Sequence, residues 1–271
     1  MNIILKEIYS SELDRNKKLR IYLPSDYHTN NTSYPVLYMH DGQNIFKDKN
    51  ENISGLSWDI DQILNKLKKQ CIVVGVDSSQ EKYERYNEYS PWKNSIESTL
   101  STFLNIPKNI GGKGDKYSLF FVETLKNYID SNYRTLGDFN NTYIAGSSMG
   151  AIISLYTVLK YPKIFSKVGL FSIATWFCQD ELLTFIKNND IPKNIKFYMD
   201  MGTQETSSEA CIYFPEIYLD GFFKIKNAIL EKNISKSYLF STIEPGALHN
   251  EKAWNRRFSL FYDFIRRDDL L

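Results

Sequence analysis

The sequence predicts an α/β protein with a mostly parallel central sheet, an antiparallel N-terminal edge and helices on both faces. Three observations carry this. Short β-branched or aromatic runs alternate with stretches of helical periodicity, the order that builds parallel sheets from strand–helix–strand units. Two of the runs, Pro35–His40 and Ile72–Val76, are almost wholly apolar, as strands covered on both faces must be. A third, Thr142–Ala145, leads directly into Gly146-Ser147-Ser148-Met149-Gly150 and then a helical segment.

The elements follow in order. Ile3–Tyr9 and Lys18–Leu23 flank a polar turn and are expected as an antiparallel pair at one edge. After Pro35–His40, the residues Trp58, Ile60, Ile63, Leu64 and Leu67 form one apolar helical stripe. Residues 78–114 carry few periodic apolar positions, and a connection of that length is expected to be a functional loop. A helix is expected from Tyr117 to Tyr133, and another from Ala151 to Tyr161, where Pro162 stops it. Later strands are expected at Val168–Ser172, Lys196–Met201 and Ser237–Ile243, with helices at Glu181–Asn188, Pro215–Glu231 and Glu251–Arg267. No repeat or linker interrupts this order, so residues 1–271 are read as one domain.

Composition narrows the function. Hydrophobic residues make up 42% and aromatic residues 15%, enough for a large core, which excludes a disordered chain. Lys and Arg total 33 against 32 Asp and Glu, so no global field draws the protein to nucleic acid or an anionic membrane. Cys71, Cys178 and Cys211 are far apart, which points away from disulfides and thiolate zinc. The three histidines offer no ligand pair, and no metal is expected. The apolar stretch at the N-terminus is too short for a signal peptide and no segment approaches the ~18 residues of a membrane span, so a cytoplasmic location is expected.

Gly146–Gly150 fits the pattern G-x-S-x-G, which alone occurs by chance in roughly one chain in ten of this length. Its position between a buried strand and a helix is what gives it meaning, because there the glycines relieve crowding around a strained serine at the sheet's carboxyl edge. Ser148 is therefore the candidate nucleophile and Ser147 its neighbour; a plain helix-capping turn is the bland alternative. A serine hydroxyl needs a base. His249, after the last predicted strand, is the candidate, since the hydrolase order is Ser, acid, His; His28 lies in a polar stretch, and His40 reads as a structural residue hydrogen-bonded beneath a loop. The acid belongs after Lys196–Met201, where Asp200, Glu205 and Glu209 all qualify by order. Glu205 ranks first because Gly202 ends the strand and places it on the following loop. A Ser–His dyad remains the other reading. The oxyanion donors are expected to be the backbone N–H of Met149 and one from the loop after His40, from Gln43 or Gly42.

With these residues in hand, the chain resembles the putative-esterase family of α/β-hydrolases, which includes esterase D, enterochelin esterases and feruloyl or acetyl-xylan esterases. The landmarks that carry the resemblance are Tyr38-Met-His-Asp-Gly-Gln-Asn-Ile-Phe46, Arg85-Tyr-Asn-Glu-Tyr-Ser-Pro91, Gly111-Gly112, Gly146–Gly150, Gly202-Thr-Gln-Glu205 and His249-Asn-Glu-Lys-Ala-Trp254. They fall in order across residues 18–266. The resemblance implies a serine carboxylic-ester hydrolase without a cofactor, with Ser148, Glu205 and His249 as its triad, acting on a small acyl, carbohydrate-linked or siderophore-type ester. Arg85, Glu88, Tyr89, Trp92, Trp176, Phe177 and Trp254 are candidate substrate contacts, aromatic faces suiting a planar acyl group or sugar ring. Arg85 and Glu88 are expected to pair and hold their loop, and Arg256-Arg257 and Arg266-Arg267 to lie on solvated helix faces. An acyltransferase on the same fold and a non-catalytic binding module are the alternatives.

Overall fold

The computed structural model describes residues 3–47, 57–67, 70–96 and 98–267. Eight strands, β1 (Ile3–Ser10), β2 (Arg15–Tyr22), β3 (Val36–His40), β4 (Ile72–Val76), β5 (Thr142–Ser147), β6 (Lys167–Phe171), β7 (Lys196–Gln204) and β8 (Leu239–Leu248), form one sheet in the order β1-β2-β4-β3-β5-β6-β7-β8. β1 pairs antiparallel with β2, and β2 antiparallel with β4. All pairs from β4 to β8 are parallel, so the strands β3 to β8 end on one edge. The strand order reverses where β3 meets β5, and in open sheets of this kind ligands bind in the crevice at that point.

The helices are α1 (Ile60–Lys66), α2 (Glu84–Glu88), α3 (Ser98–Leu104), α4 (Gly114–Leu119), α5 (Lys126–Asn132), α6 (Met149–Lys160), α7 (Gln179–Asn188), α8 (Phe214–Leu230) and α9 (Glu251–Ile265). Alternate strand residues divide the core in two. Leu37, Met39, Val73, Tyr143, Ala145, Phe171 and Tyr198 pack against α1 and α9, while Val36, Tyr38, Val74, Ile144, Val168, Leu170, Phe197 and Met199 pack against α4 to α8. Every residue of β3, β4, β5 and β6 is buried, which is why these strands read as continuous apolar runs.

Three expectations needed correction. The connection 78–114 is not irregular, since it contains α2, α3 and a bridge between Lys93 and Gly111. Beside a few buried apolar side chains such as Tyr89, Leu100 and Ile106, α2 turns carboxylates inward, which an apolar count misses: Glu88 is fully buried against Lys17 at 2.7 Å, and Glu84 is bound by Lys113 at 2.6 Å. The helix expected at Tyr117 begins at Gly114 and runs to Asn132 through a wider π-type turn at Phe120–Leu125. Finally, β8 runs beyond Ile243 to Leu248, through Glu244-Pro245-Gly246, which reads as a turn. Proline is tolerated there because β8 is the outer strand.

Among the described residues, no helix is long and apolar enough to cross a membrane. Phe261 of α9 is fully buried, with its ring against Phe171, Tyr198 and Phe258. Phe261→Ala is expected to lower the unfolding free energy by about 3–5 kcal/mol, read as a reduced urea midpoint with unchanged slope.

Candidate active site

Ser148 stands between β5 and α6 with φ 58° and ψ −121°, in a region that residues with a Cβ seldom adopt. Its backbone is held on both sides, its N–H donating to the Phe171 carbonyl at 2.9 Å and its own carbonyl accepting from Ala174 at 3.3 Å. The turn is tight enough that a Cβ at Gly146 would lie 2.6 Å from the Gly150 carbonyl and 2.8 Å from the His40 ring. His40 sits below it, buried, its Nδ1 paired with the Tyr117 hydroxyl at 3.1 Å. Burial pushes this imidazole down to about 3, against the pull of Asp41, so it is neutral. His28 is exposed in a distant loop.

Met149 is the first residue of α6, and Gly42 and Gln43 begin a short 3₁₀ turn after β3, so their N–H groups have no carbonyl of their own helix to bond. The Gln43 side chain is committed elsewhere, donating to the Ser78 hydroxyl at 2.8 Å and accepting from the Ser78 N–H at 3.0 Å. Its backbone N–H is what it can offer. This loop is pinned by Arg85, whose guanidinium grips both Asp41 oxygens at 2.7 and 2.8 Å. Burial opposes ionisation of Asp41, but the Arg85 charge outweighs it and holds the carboxyl below its ordinary value. Arg85 therefore pairs with Asp41 and not with Glu88, as the sequence reading had it. Glu88, buried on Lys17 at the other end of α2, has no route to a substrate and leaves the candidate set.

The base and its acid meet through strand register. Gln204 of β7 pairs with Leu248 of β8, so the next residue on each strand, Glu205 and His249, emerge side by side. His249 Nδ1 donates to Glu205 Oε2 at 2.5 Å. A bulge makes this possible: β8 carries three residues opposite Thr203, and the Ala247 carbonyl comes so close to Gly202 that a Cβ there would lie 2.3 Å away. Glu205 is fully buried, and its second oxygen accepts from the Ser172 hydroxyl at 2.5 Å and the Gly202 N–H at 2.7 Å. Burial works against its charge, yet the bonds from His249 and Ser172 and the Arg257 cation bring it below its ordinary 4.5.

The other two carboxylates are placed differently. Asp200 lies deeper, bound to Arg257 at 3.2 Å and to the Ser172 N–H at 3.2 Å. Burial pushes it up to about 7 despite Arg257, so near neutrality it is only partly charged. Glu209 is exposed on the following loop. Glu205 is thus the carboxylate that the fold brings to His249 in charged form.

Trp254 and Arg257 serve this acid from α9. The Trp254 indole donates to Ser172 Oγ at 2.8 Å and stands edge-on to His249, so it supports the imidazole from inside the core instead of facing a pocket. Arg257 is buried, which corrects its reading as a solvated residue; only Arg256 of that pair is exposed. The signal was present, because Arg257 falls on the stripe Trp254, Phe258, Phe261 at helical spacing.

Tyr218 was missed altogether. Its hydroxyl lies 2.6 Å from Ser207 Oγ and 3.5 Å from His249 Nε2. On the sequence it is one more aromatic in the buried stripe Phe214, Tyr218, Phe222, Ile225, and nothing separates it from a packing residue. Trp176 lines a cleft of about 510 Å³ with Leu100, Phe103 and Ile217, its mouth carrying Asp180, Glu216 and Asp220 against Lys224. Trp92 lies apart from this cleft's walls, packed on Tyr156 and Phe185. A larger recess of about 630 Å³ lies beyond the Gln43 side chain, walled by polar and charged groups, most of the charges paired, as Arg20 is with Asp77 and Arg15 with Glu81. Among the described residues, no group of three or more His, Cys, Asp and Glu side chains is placed to hold a metal ion.

Comparison with known proteins decides the family. The chain belongs to the putative-esterase family. The family's model matches residues 10–260, and membership makes the chain an ester hydrolase. The esterase is 24% identical over 243 residues to the uncharacterized protein YbbA of Bacillus subtilis (strain 168), covering 90% of each chain. Its fold is similar to that of an IroE-like serine hydrolase from Shewanella oneidensis, at 18% identity and a TM-score of 0.74 over 98% of this chain and 79% of the other. It is also similar to the BES protein from Bacillus cereus, at 17% identity and a TM-score of 0.73 over 98% and 96%.

Because Glu205 titrates below 4.5 in the folded esterase, its bonds stabilise the fold fully above that pH, and the contribution is lost as pH falls through the lowered value. Glu205→Gln is expected to cost about 1.5–3 kcal/mol at pH 7, and the difference from the parent protein to shrink as pH falls below 4.5, as read by urea denaturation at pH 7 and across the acid range.

Proposed function

We propose that the whole chain acts as one catalytic unit that hydrolyses a small neutral carboxylic ester through an acyl-enzyme on Ser148. In this reading His249 Nε2 takes the Ser148 proton as Oγ attacks the ester carbonyl. The N–H groups of Met149 and Gln43, or Gly42 in its place, receive the oxyanion. His249 then returns the proton to the leaving alcohol, and water repeats the cycle to release the acid. Glu205 holds the imidazole in the tautomer that leaves Nε2 free and stabilises the imidazolium once it forms.

The observation that carries the reading is the 2.5 Å contact between His249 Nδ1 and a buried Glu205 whose carboxyl is held below its ordinary value, at the same sheet edge on which Ser148 is held in a strained turn. The substrate class rests on the cleft beside Trp176. Its apolar walls suit an aromatic or short alkyl group, and three acids against one lysine at its mouth disfavour a substrate bearing a free carboxylate. Arg85 does not offset this, since Asp41 already neutralises it. Carbohydrate-linked and siderophore-type esters that expose an aromatic acyl group fall within the same class, and Trp176 is its proposed contact.

The test is turnover of p-nitrophenyl esters of increasing chain length and of methyl ferulate. Ser148→Ala is expected to abolish it while leaving the fold intact, and the parent protein to be labelled at Ser148 by a fluorophosphonate. Unchanged turnover in the variant overturns the assignment. Among the acids, Glu205→Gln is expected to lower kcat by about 10²–10⁴ and Asp200→Asn by less than about tenfold. Glycerol added as acceptor is expected to yield mainly free acid; ester product in excess would mark an acyltransferase.

A further inference from the structure

We propose that Tyr218 is a further catalytic residue of this esterase, the group that holds the leaving alcohol oxygen and the entering water beside His249 Nε2. The inference rests on the Ser148 reading above.

Tyr218 is fully buried, and a residue there that only filled space could be phenylalanine. Its hydroxyl, however, has partners at the site: Ser207 Oγ at 2.6 Å, on the loop that follows Glu205, and His249 Nε2 at 3.5 Å. The ring is tilted by 37° against the imidazole at 4.9 Å between centroids, which fixes the hydroxyl on the Nε2 side of His249, away from Glu205 on Nδ1. Burial pushes the phenol further above its ordinary value, so it keeps its proton and acts as a hydrogen-bonding group rather than a base.

The oxyanion donors come from the loop after β3 and the start of α6, whereas Tyr218 comes from α8. The oxygen it can reach is therefore the one that exchanges a proton with Nε2. In acylation this is the alcohol oxygen, which takes the proton from Nε2 as its bond to the carbonyl carbon breaks. In deacylation it is the water oxygen, whose lone pair forms the new bond to the acyl carbon while one proton passes to Nε2. When the Ser148 ester bond breaks, Oγ recovers that proton. Tyr218 donates a hydrogen bond to the moving oxygen in both steps and transfers nothing.

The test is Tyr218→Phe in the full chain with p-nitrophenyl acetate, alongside fluorophosphonate labelling. We expect kcat to fall about a hundredfold, an initial burst of p-nitrophenol, and acetylated Ser148 visible in the intact mass, because water attack is slowed more than attack by the bound serine. Ser207→Ala, at an exposed position, is expected to slow deacylation roughly two- to tenfold in the same direction. Parent protein that labels at Ser148, together with a Tyr218→Phe variant that turns over at the parent rate without a burst, overturns the role of Tyr218 alone. Parent protein that does not label at Ser148 overturns the triad reading and this one with it. Should Tyr218→Phe fail to fold, an unchanged Ser207→Ala overturns the proposal.

Discussion

A carboxylate without solvent contact must be matched by hydrogen bonds and opposite charge, and most of what surrounds Glu205 follows from that demand. Its partners come from four separate stretches: Ser172 after β6, Gly202 in β7, His249 after β8 and Arg257 in α9. Only the Gly202 N–H is local; the other three come from distant parts of the chain. The acid is satisfied only when the β6–β7–β8 half of the sheet and the last helix are all in place, so assembling the fold and assembling the site are one event. Asp200 shares Arg257 but lacks the imidazole, and the two acids diverge, one below its ordinary value and one pushed up to about 7. Two carboxylates, one within β7 and one just beyond its end, thus hold different charges at neutral pH.

Strain is concentrated at the same edge. Asp41, Ser148 and Ser172, each just beyond the end of a neighbouring strand, all have positive φ, an arrangement costing of order 1–3 kcal/mol apiece. Each is restrained by contacts that do not depend on it alone: Asp41 by Arg85 and Tyr89, Ser148 by the Phe171 and Ala174 backbones, Ser172 by Asp200 and Trp254. The loop after β3 is further tied to the start of α9 by Asn44 and Glu251 at 3.0 Å. The segment carrying the candidate oxyanion donors and the one following His249 are therefore mechanically joined.

The legible parts of the sequence were those whose physics is local. Continuous apolar runs mark strands buried on both faces, and the serine turn shows itself because its glycines are required within five residues. His249 and Glu205 could be ranked by chain order, but their contact depends on a bulge in β8 that Glu244-Pro245-Gly246 disguises as a turn. Glu88, Arg257 and Tyr218 were misread or missed for a common reason. A buried charge or a reactive phenol is defined by what faces it across the fold, and the spacing of one segment carries no record of that. Arg257 came nearest to being readable, as a cation on an otherwise apolar stripe.

The bulged end of β8 has an effect beyond placing His249. β8 is the sheet's outer strand, and such a strand normally presents a row of free N–H and C=O groups that another chain can zip onto. Here Pro245 has no N–H to offer, and the bulge, with the Gly246 N–H turned back onto Thr203 Oγ1 of β7 at 2.8 Å, interrupts the regular row of edge groups. The deformation that delivers the imidazole also leaves this rim a poor template for intermolecular pairing, so the stretch beside the reactive centre is guarded against aggregation by the same few residues.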